Sequence, residues 1–166
     1  MKKKRWNDRV KDILFPVILP LSGIKIRYEV NLVNECERIP DKPVIYACNH
    51  SQFSDIPIAT RAIGKRSYIL LGKQKLYLID RIFFHLLGAI WVDRKDKEHK
   101  KKVKEKLLCH LNRGQSILWF PEGTWNLTEN LLMLPMRWGI IEAAHKAGGQ
   151  IVPMAIRYDR KNKKCQ

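Results

Sequence analysis

Acidic residues are scarce in this chain. Its 166 residues carry 16 Asp plus Glu against 32 Lys plus Arg, a formal net charge of +16. Its partners are therefore expected to be anionic: nucleic acid, lipid headgroups, phosphorylated metabolites or acidic proteins. Long apolar runs are missing as well. The longest, Ile13 to Leu21, has nine residues and contains Pro16 and Pro20, about half of the ~20 that a membrane-spanning helix requires. The four cysteines, Cys36, Cys48, Cys109 and Cys165, form no C-x-x-C pair, which argues for free thiols in a reducing, cytosolic setting over a disulfide scaffold. A lysine-rich start followed by apolar residues imitates a secretion signal, but Asp8 and Asp12 interrupt it and no A-x-A-like cleavage site follows.

Apolar residues are plentiful. They make up 45% of the chain, enough for the core of one domain. Residues 1–21 join six Lys or Arg to an apolar half carrying Trp6, Ile13, Leu14, Phe15 and Val17. This composition suits either a membrane-interface segment or a first helix packed on the domain. From Ile24 to Leu32 the period changes to two, the pattern of a half-buried strand. Short apolar runs then recur at Val44–Cys48, Tyr68–Leu71, Ala89–Val92, Ile117–Phe120 and Ile151–Ile156. Segments of helical character separate them, including Lys75–Leu87, Lys95–Arg113 and Pro135–Ala147. The alternation predicts an α/β domain over residues 22–166, with a mainly parallel sheet covered by helices.

In such a sheet, ligands collect beyond the carboxyl ends of the strands. Asn49-His50-Ser51-Gln52-Phe53-Ser54-Asp55 follows one apolar run and Pro121-Glu122-Gly123-Thr124 another, so both are expected on one rim. The spacing of His50 and Asp55 lets a carboxylate fold back onto one imidazole nitrogen and leave the other free to accept a proton. Asp55 also precedes Ile56-Pro57, where it would serve as a helix N-cap. The G-x-S-x-G elbow that would make Ser51 a nucleophile is absent. No second histidine stands at ligand spacing, and no metal is expected. Glu122-Gly123-Thr124 combines a carboxylate, a flexible backbone and a hydroxyl, a set able to bind a polyol or let backbone N–H groups approach an anion.

Together these blocks resemble the glycerolipid acyltransferases typified by 1-acylglycerol-3-phosphate acyltransferase. Asn49–Asp55 is similar to the N-H-x4-D block, Gly88-Ala89-Ile90-Trp91-Val92-Asp93-Arg94 to G-x-x-x-V-D-R, Phe120–Thr124 to F-P-E-G-T, and Ile151–Ile156 to V-P-x-A-I. The resemblance spans roughly Val44 to Ile156. It implies direct transfer, with His50, oriented by Asp55, taking the proton of a glycerol hydroxyl that attacks an acyl thioester. Arg94 matches the family's phosphate-binding arginine, and Glu122, Gly123 and Thr124 match its acceptor-binding block. Lys73 resembles the lysine of a K-x-E-L stretch, although Lys75 stands where the acidic residue usually is. The implied co-substrate is a thioester of coenzyme A or acyl carrier protein, with no resident cofactor. The implied acceptor is lysophosphatidic acid, and the implied setting is peripheral, on the anionic cytoplasmic face of a membrane.

Two departures qualify the match. Trp125 stands where an arginine commonly follows E-G-T, removing one bidentate phosphate partner. The sequence also stops ten residues after Ile156, short for the family. Trp125 keeps open a different lysophospholipid or aminolipid acceptor, while the charge motivates a non-catalytic nucleic-acid module. The latter lacks helix-turn-helix, zinc-finger and RNP-type signatures, so nucleic acid is not the expected partner. The seven lysines and three acids between Lys95 and Lys106 read most simply as a solvated helical face.

Overall fold

Val44–Cys48 is apolar at every position because both faces of the strand are covered. All five of its residues are buried, with Val44, Tyr46 and Cys48 in one core cluster and Ile45 and Ala47 in another. A strand that alternates between two cores belongs at the centre of a three-layer structure. The chain was described by a computed structural model covering residues 10, 12–17, 29–31, 42–73, 77–128, 130–159 and 161–165, with Ile79 described by its backbone alone. Most of the basic segment 1–21, most of the expected strand Ile24–Leu32, Cys36 and the start of the helix expected from Lys75 lie outside these residues.

In chain order the elements are α1 (residues 12–17), β1 (Glu29–Val30), β2 (Val44–Cys48), α2 (Asp55–Ile63), β3 (Ser67–Gly72), α3 (Leu78–Leu87) and β4 (Ala89–Val92). They continue with α4 (Lys97–Leu111), β5 (Ser116–Trp119), α5 (Gly139–Ala147), β6 (Gln150–Met154), β7 (Tyr158–Asp159) and β8 (Lys164–Cys165). Five strands form one sheet in the order β4-β3-β5-β2-β6, and every pair in it is parallel. Residues of α2 and α3 pack into the first cluster, and residues of α4 and α5 into the second. This is the expected α/β architecture. A small sheet, β1-β8-β7, stands beside it and carries Tyr158.

The differences from the sequence reading are local. The helix expected from Pro135 begins at Gly139, because the preceding residues bond to a distant turn: Leu134 N–H to the Glu122 carboxylate and Arg137 N–H to the Pro121 carbonyl. The strand expected to reach Ile156 ends at Met154, since the Asn49 side chain takes both the N–H and the C=O of Ile156. In α4, Asp96 caps the first turn by accepting the His99 N–H at 2.9 Å, and only Val103, Leu107, His110 and Leu111 are buried. Its lysines therefore form the solvated face expected of them. In α1, Phe15 enters the first core cluster and Asp12 pairs with Arg66 at 2.7 Å, while Ile13 and Val17 stay exposed.

Because the five strands run the same way, their carboxyl ends share one rim. The residues just beyond them are Asn49-His50 after β2, Lys73 after β3, Asp93-Arg94 after β4 and Phe120–Gly123 after β5. The chemistry expected from the sequence is gathered there.

Candidate active site

The loop between β2 and α2 folds back on itself around one carboxylate. Ser54 is the N-cap position of α2 and makes no side-chain cap; Asp55, the first helical residue, turns its side chain toward the loop before it. Asp55 Oδ2 accepts the backbone N–H groups of Ser51 and Gln52 at 2.5 and 2.8 Å, and lies 2.9 Å from His50 Nδ1. Its other oxygen accepts the Tyr158 hydroxyl. Four donors thus hold one carboxylate that is only 1% exposed, an arrangement that offsets the cost of burying its charge. Tyr158 feels the reverse: burial, then its bond to Asp55, pushes the phenol pKa well up, so it remains a donor.

His50 is fixed on every side. Its ring stacks on Phe120 with centroids 4.2 Å apart, and its carbonyl accepts the Asn126 N–H at 2.6 Å. Its remaining nitrogen, Nε2, receives the Trp125 indole N–H at 2.9 Å. An indole N–H can only donate, so Nε2 is the acceptor nitrogen and the proton sits on Nδ1, against Asp55. That is the tautomer a general base requires.

Glu122 plays a different part from its neighbours. It is 3% exposed, and its two oxygens accept the backbone N–H groups of His50 at 2.8 Å and Leu134 at 3.0 Å. The carboxylate therefore ties the loop after β2 to the segment before α5. Gly123 holds φ at 71°, where glycine is unstrained. A cleft of about 320 Å³ opens at this rim, and His50, Lys73, Arg94, Gly123 and Thr124 all line it. Of the site residues expected from the sequence, these five face one space, while Asp55 and Glu122 lie behind it as supports.

Lys73 bonds Asp93 at 3.3 Å across exposed surface. The Asp93 carboxyl is held below its usual range, first by the Lys95 backbone N–H and then by Lys73. The Arg94 pKa is lowered by burial and by the nearby Arg137. Buried Cys48 is no nucleophile at neutral pH, because burial pushes its thiol strongly up.

Three contributors have no role assigned from the sequence, although Asn49 and Phe120 stand inside two of the blocks that resemble the family. Tyr158 approaches from β7, and Phe120 reads as the last apolar residue of a strand. The third is Asn49, whose side chain binds Ile156 and also donates to the Leu132 carbonyl at 3.1 Å. The sequence clue to Asn49 is its place at the head of the block Asn49–Asp55, beside His50.

The chain is similar to known proteins. Residues 30–157 match a family model described as Acyltransferase. The 1-acyl-sn-glycerol-3-phosphate acyltransferase of Chlamydomonas reinhardtii is 32% identical over 119 residues, 70% of this chain and 35% of that protein. The enzyme of the same name from Haemophilus influenzae is 28% identical, over 90% of this chain and 58% of its own length. A lyso-ornithine lipid O-acyltransferase of Pseudomonas aeruginosa is 26% identical, over 80% of this chain and 49% of its own. The chain spans about half the length of the curated relatives it matches. The crystal structure of the 1-acyl-sn-glycerophosphate acyltransferase from Thermotoga maritima superposes with a TM-score of 0.67 at 19% identity, covering 93% of this chain and 62% of that one. The two share a fold.

Proposed function

The chain belongs to the acyltransferase family, and we propose that it transfers a fatty acyl group from an acyl thioester to the free hydroxyl of 1-acylglycerol 3-phosphate, giving phosphatidic acid. The observation that carries this reading is the His50 ring, with Nδ1 on Asp55 and Nε2 toward the cleft. The acceptor hydroxyl gives its proton to Nε2 as its oxygen bonds to the thioester carbonyl carbon. The carbon–sulfur bond then breaks, and the departing thiolate takes the proton back from the imidazolium. Asp55 keeps the ring oriented and offsets its transient positive charge. No acyl-enzyme is formed, in keeping with the absence of a nucleophile elbow. Because the Trp125 indole holds Nε2 at 2.9 Å, the acceptor hydroxyl must displace it.

The donor carrier is coenzyme A or acyl carrier protein; the exposed lysines of α4 suit an acidic carrier. We place the protein at the cytoplasmic face of a membrane, held peripherally and aided by residues 1–21. The charge of +16 favours anionic lipid. Exposed Ile13, Val17, Leu127 and Trp138 supply apolar contact. Among the described residues no helix is long and apolar enough to cross a bilayer. A second reading, an aminolipid acceptor, is favoured by Trp125 and by the lyso-ornithine lipid O-acyltransferase relative.

The test is thiol release from acyl-coenzyme A and acyl carrier protein, with and without 1-acylglycerol 3-phosphate. Release should depend on the acceptor and fall by about 10²–10⁴ in His50→Ala. A His50→Ala variant at the wild-type rate would remove the base assignment, and a folded protein that releases thiol with no acceptor would remove the reading.

A further inference from the structure

The base is covered on the one atom through which it would act. The His50 side chain is 12% exposed, with Nδ1 on Asp55 and one ring face on Phe120. Nε2 receives the Trp125 indole N–H at 2.9 Å, the two ring planes standing at 89°. A neutral imidazole has a single acceptor nitrogen. While Trp125 donates to it, neither water nor an alcohol can deliver a proton there.

The cover is built to swing on a fixed mount. Asn126, just after Trp125, is buried; its N–H donates to the His50 carbonyl at 2.6 Å and its side chain to the Leu131 carbonyl at 2.7 Å. On the other side, the Gly123 N–H closes a turn on the Phe120 carbonyl at 3.1 Å, and Glu122 holds the backbone N–H groups of His50 and Leu134. The main chain around Trp125 is thus tied to the loop that carries His50. The indole itself is 46% exposed, so rotation of its own side chain uncovers Nε2 without opening the core.

We propose that Trp125 selects the nucleophile, its indole N–H covering Nε2 until an acceptor entering the cleft pushes the ring aside. The proposal rests on the acyl-transfer reading. A thioester held beside a bare base has two fates. Attack by water at its carbonyl carbon, with the proton passing to Nε2 and on to the departing thiolate as the carbon–sulfur bond breaks, gives a free fatty acid and a thiol. Attack by the acceptor hydroxyl gives the ester. The same nitrogen serves both, and water is far more abundant. Trp125 lines the same cleft as His50, so an occupant there meets the ring, and part of its binding energy goes into assembling the working site. A neutral hydrogen bond of this kind changes the uncovered fraction by roughly fivefold.

The experiment compares the whole chain with Trp125→Phe, Trp125→Ala and the double variant Trp125→Phe/His50→Ala. Fatty acid and thiol release from acyl-coenzyme A are measured without acceptor. Labelling of His50 by diethyl pyrocarbonate, which needs a free imidazole lone pair, is followed by peptide mass spectrometry, and unfolding midpoints are recorded alongside. Acceptor-independent release should rise roughly 3- to 10-fold in both single variants and vanish in the double variant. His50 labelling should rise by a similar factor, with labelling of the other histidines and the unfolding midpoints unchanged. Equal His50 labelling in the native protein and Trp125→Phe overturns the cover. A rise in Trp125→Ala alone overturns the hydrogen-bonded form of it, leaving only the bulk of the ring. If labelling rises and hydrolysis does not, while acceptor-dependent release persists, selection against water falls and acyl transfer stands. Thiol release by no protein with any acceptor removes the acyl-transfer reading and the selection with it, while a rise in labelling still establishes the covered base.

Discussion

Two halves of one rim differ in how their charges are met. Beyond β2, the Asp55 carboxylate has a donor for nearly every lone pair: His50, two backbone N–H groups and Tyr158. Beyond β3 and β5, Arg94 and Arg137 lie against glycines with no carboxylate partner among the described residues. The carboxylate of the first half has its partners within the protein, and both guanidinium groups of the second are exposed to solvent. A base must be oriented before its proton arrives, so its supporting bonds are built in.

Asp55→Asn breaks the complete half and has the largest expected effect. The amide presents a donor where Oδ2 now accepts three, so the His50 tautomer is lost and acceptor-dependent thiol release should fall by about 10²–10⁴. Thermal unfolding should show about 1–3 kcal/mol of lost stability from the unpaired backbone donors. A variant as active as wild type would mean that the carboxylate only shapes the loop.

Trp125→Phe tests the seam between the halves. The variant keeps an aromatic ring but frees Nε2 from its indole partner. If acceptor binding must displace that bond, worth about 1 kcal/mol, kcat/KM for the acceptor should rise several-fold. A fall in kcat would show instead that the indole N–H assists the reaction.

Glu142 supplies a control remote from both halves, with the smallest expected effect. On α5 it bonds Lys104 of α4 and Lys146, 2.9 Å away, and these partners, Lys104 first, lower its pKa. A depressed carboxyl stabilises the fold above the ordinary glutamate range, and that contribution disappears as pH falls through the folded value. Glu142→Gln should therefore unfold slightly earlier than wild type at neutral pH and together with it in strong acid, with thiol release unchanged. An activity loss here would mean that the rim is sensitive to any change in α4–α5 packing.

The parts legible in the sequence are those set by neighbours along the chain. Strands β2 and β4 coincide with the apolar runs Val44–Cys48 and Ala89–Val92, since both faces are covered, fully in β2 and partly in the edge strand β4. His50 and Asp55 are five residues apart, within one turn of chain. The partners that complete them come from much farther off: Tyr158 is 103 residues from Asp55 and Ile156 is 107 from Asn49. Pairings of that separation leave no period or spacing to read. Trp125 read as a missing arginine, and its bond to His50 emerges only when the loop after β5 is folded against the loop after β2. Glu122 read as a ligand for substrate, and its carboxylate joins two loops of main chain, a bond pattern open to any acid at a crowded turn.

Asn49 carries a consequence for the order in which the molecule is made. Its side chain grips both backbone groups of Ile156, so the residue before His50 gains these two bonds only once the chain has been made as far as residue 156 and has closed. Contacts of such long sequence separation must overcome loop-closure entropy before they repay it. A nascent chain ending before β6 holds every residue of the His50–Asp55 loop but none of the late bonds that fix it. The loop thus comes early in the chain, and two of its anchors, Tyr158 on Asp55 and Ile156 on Asn49, come more than a hundred residues later.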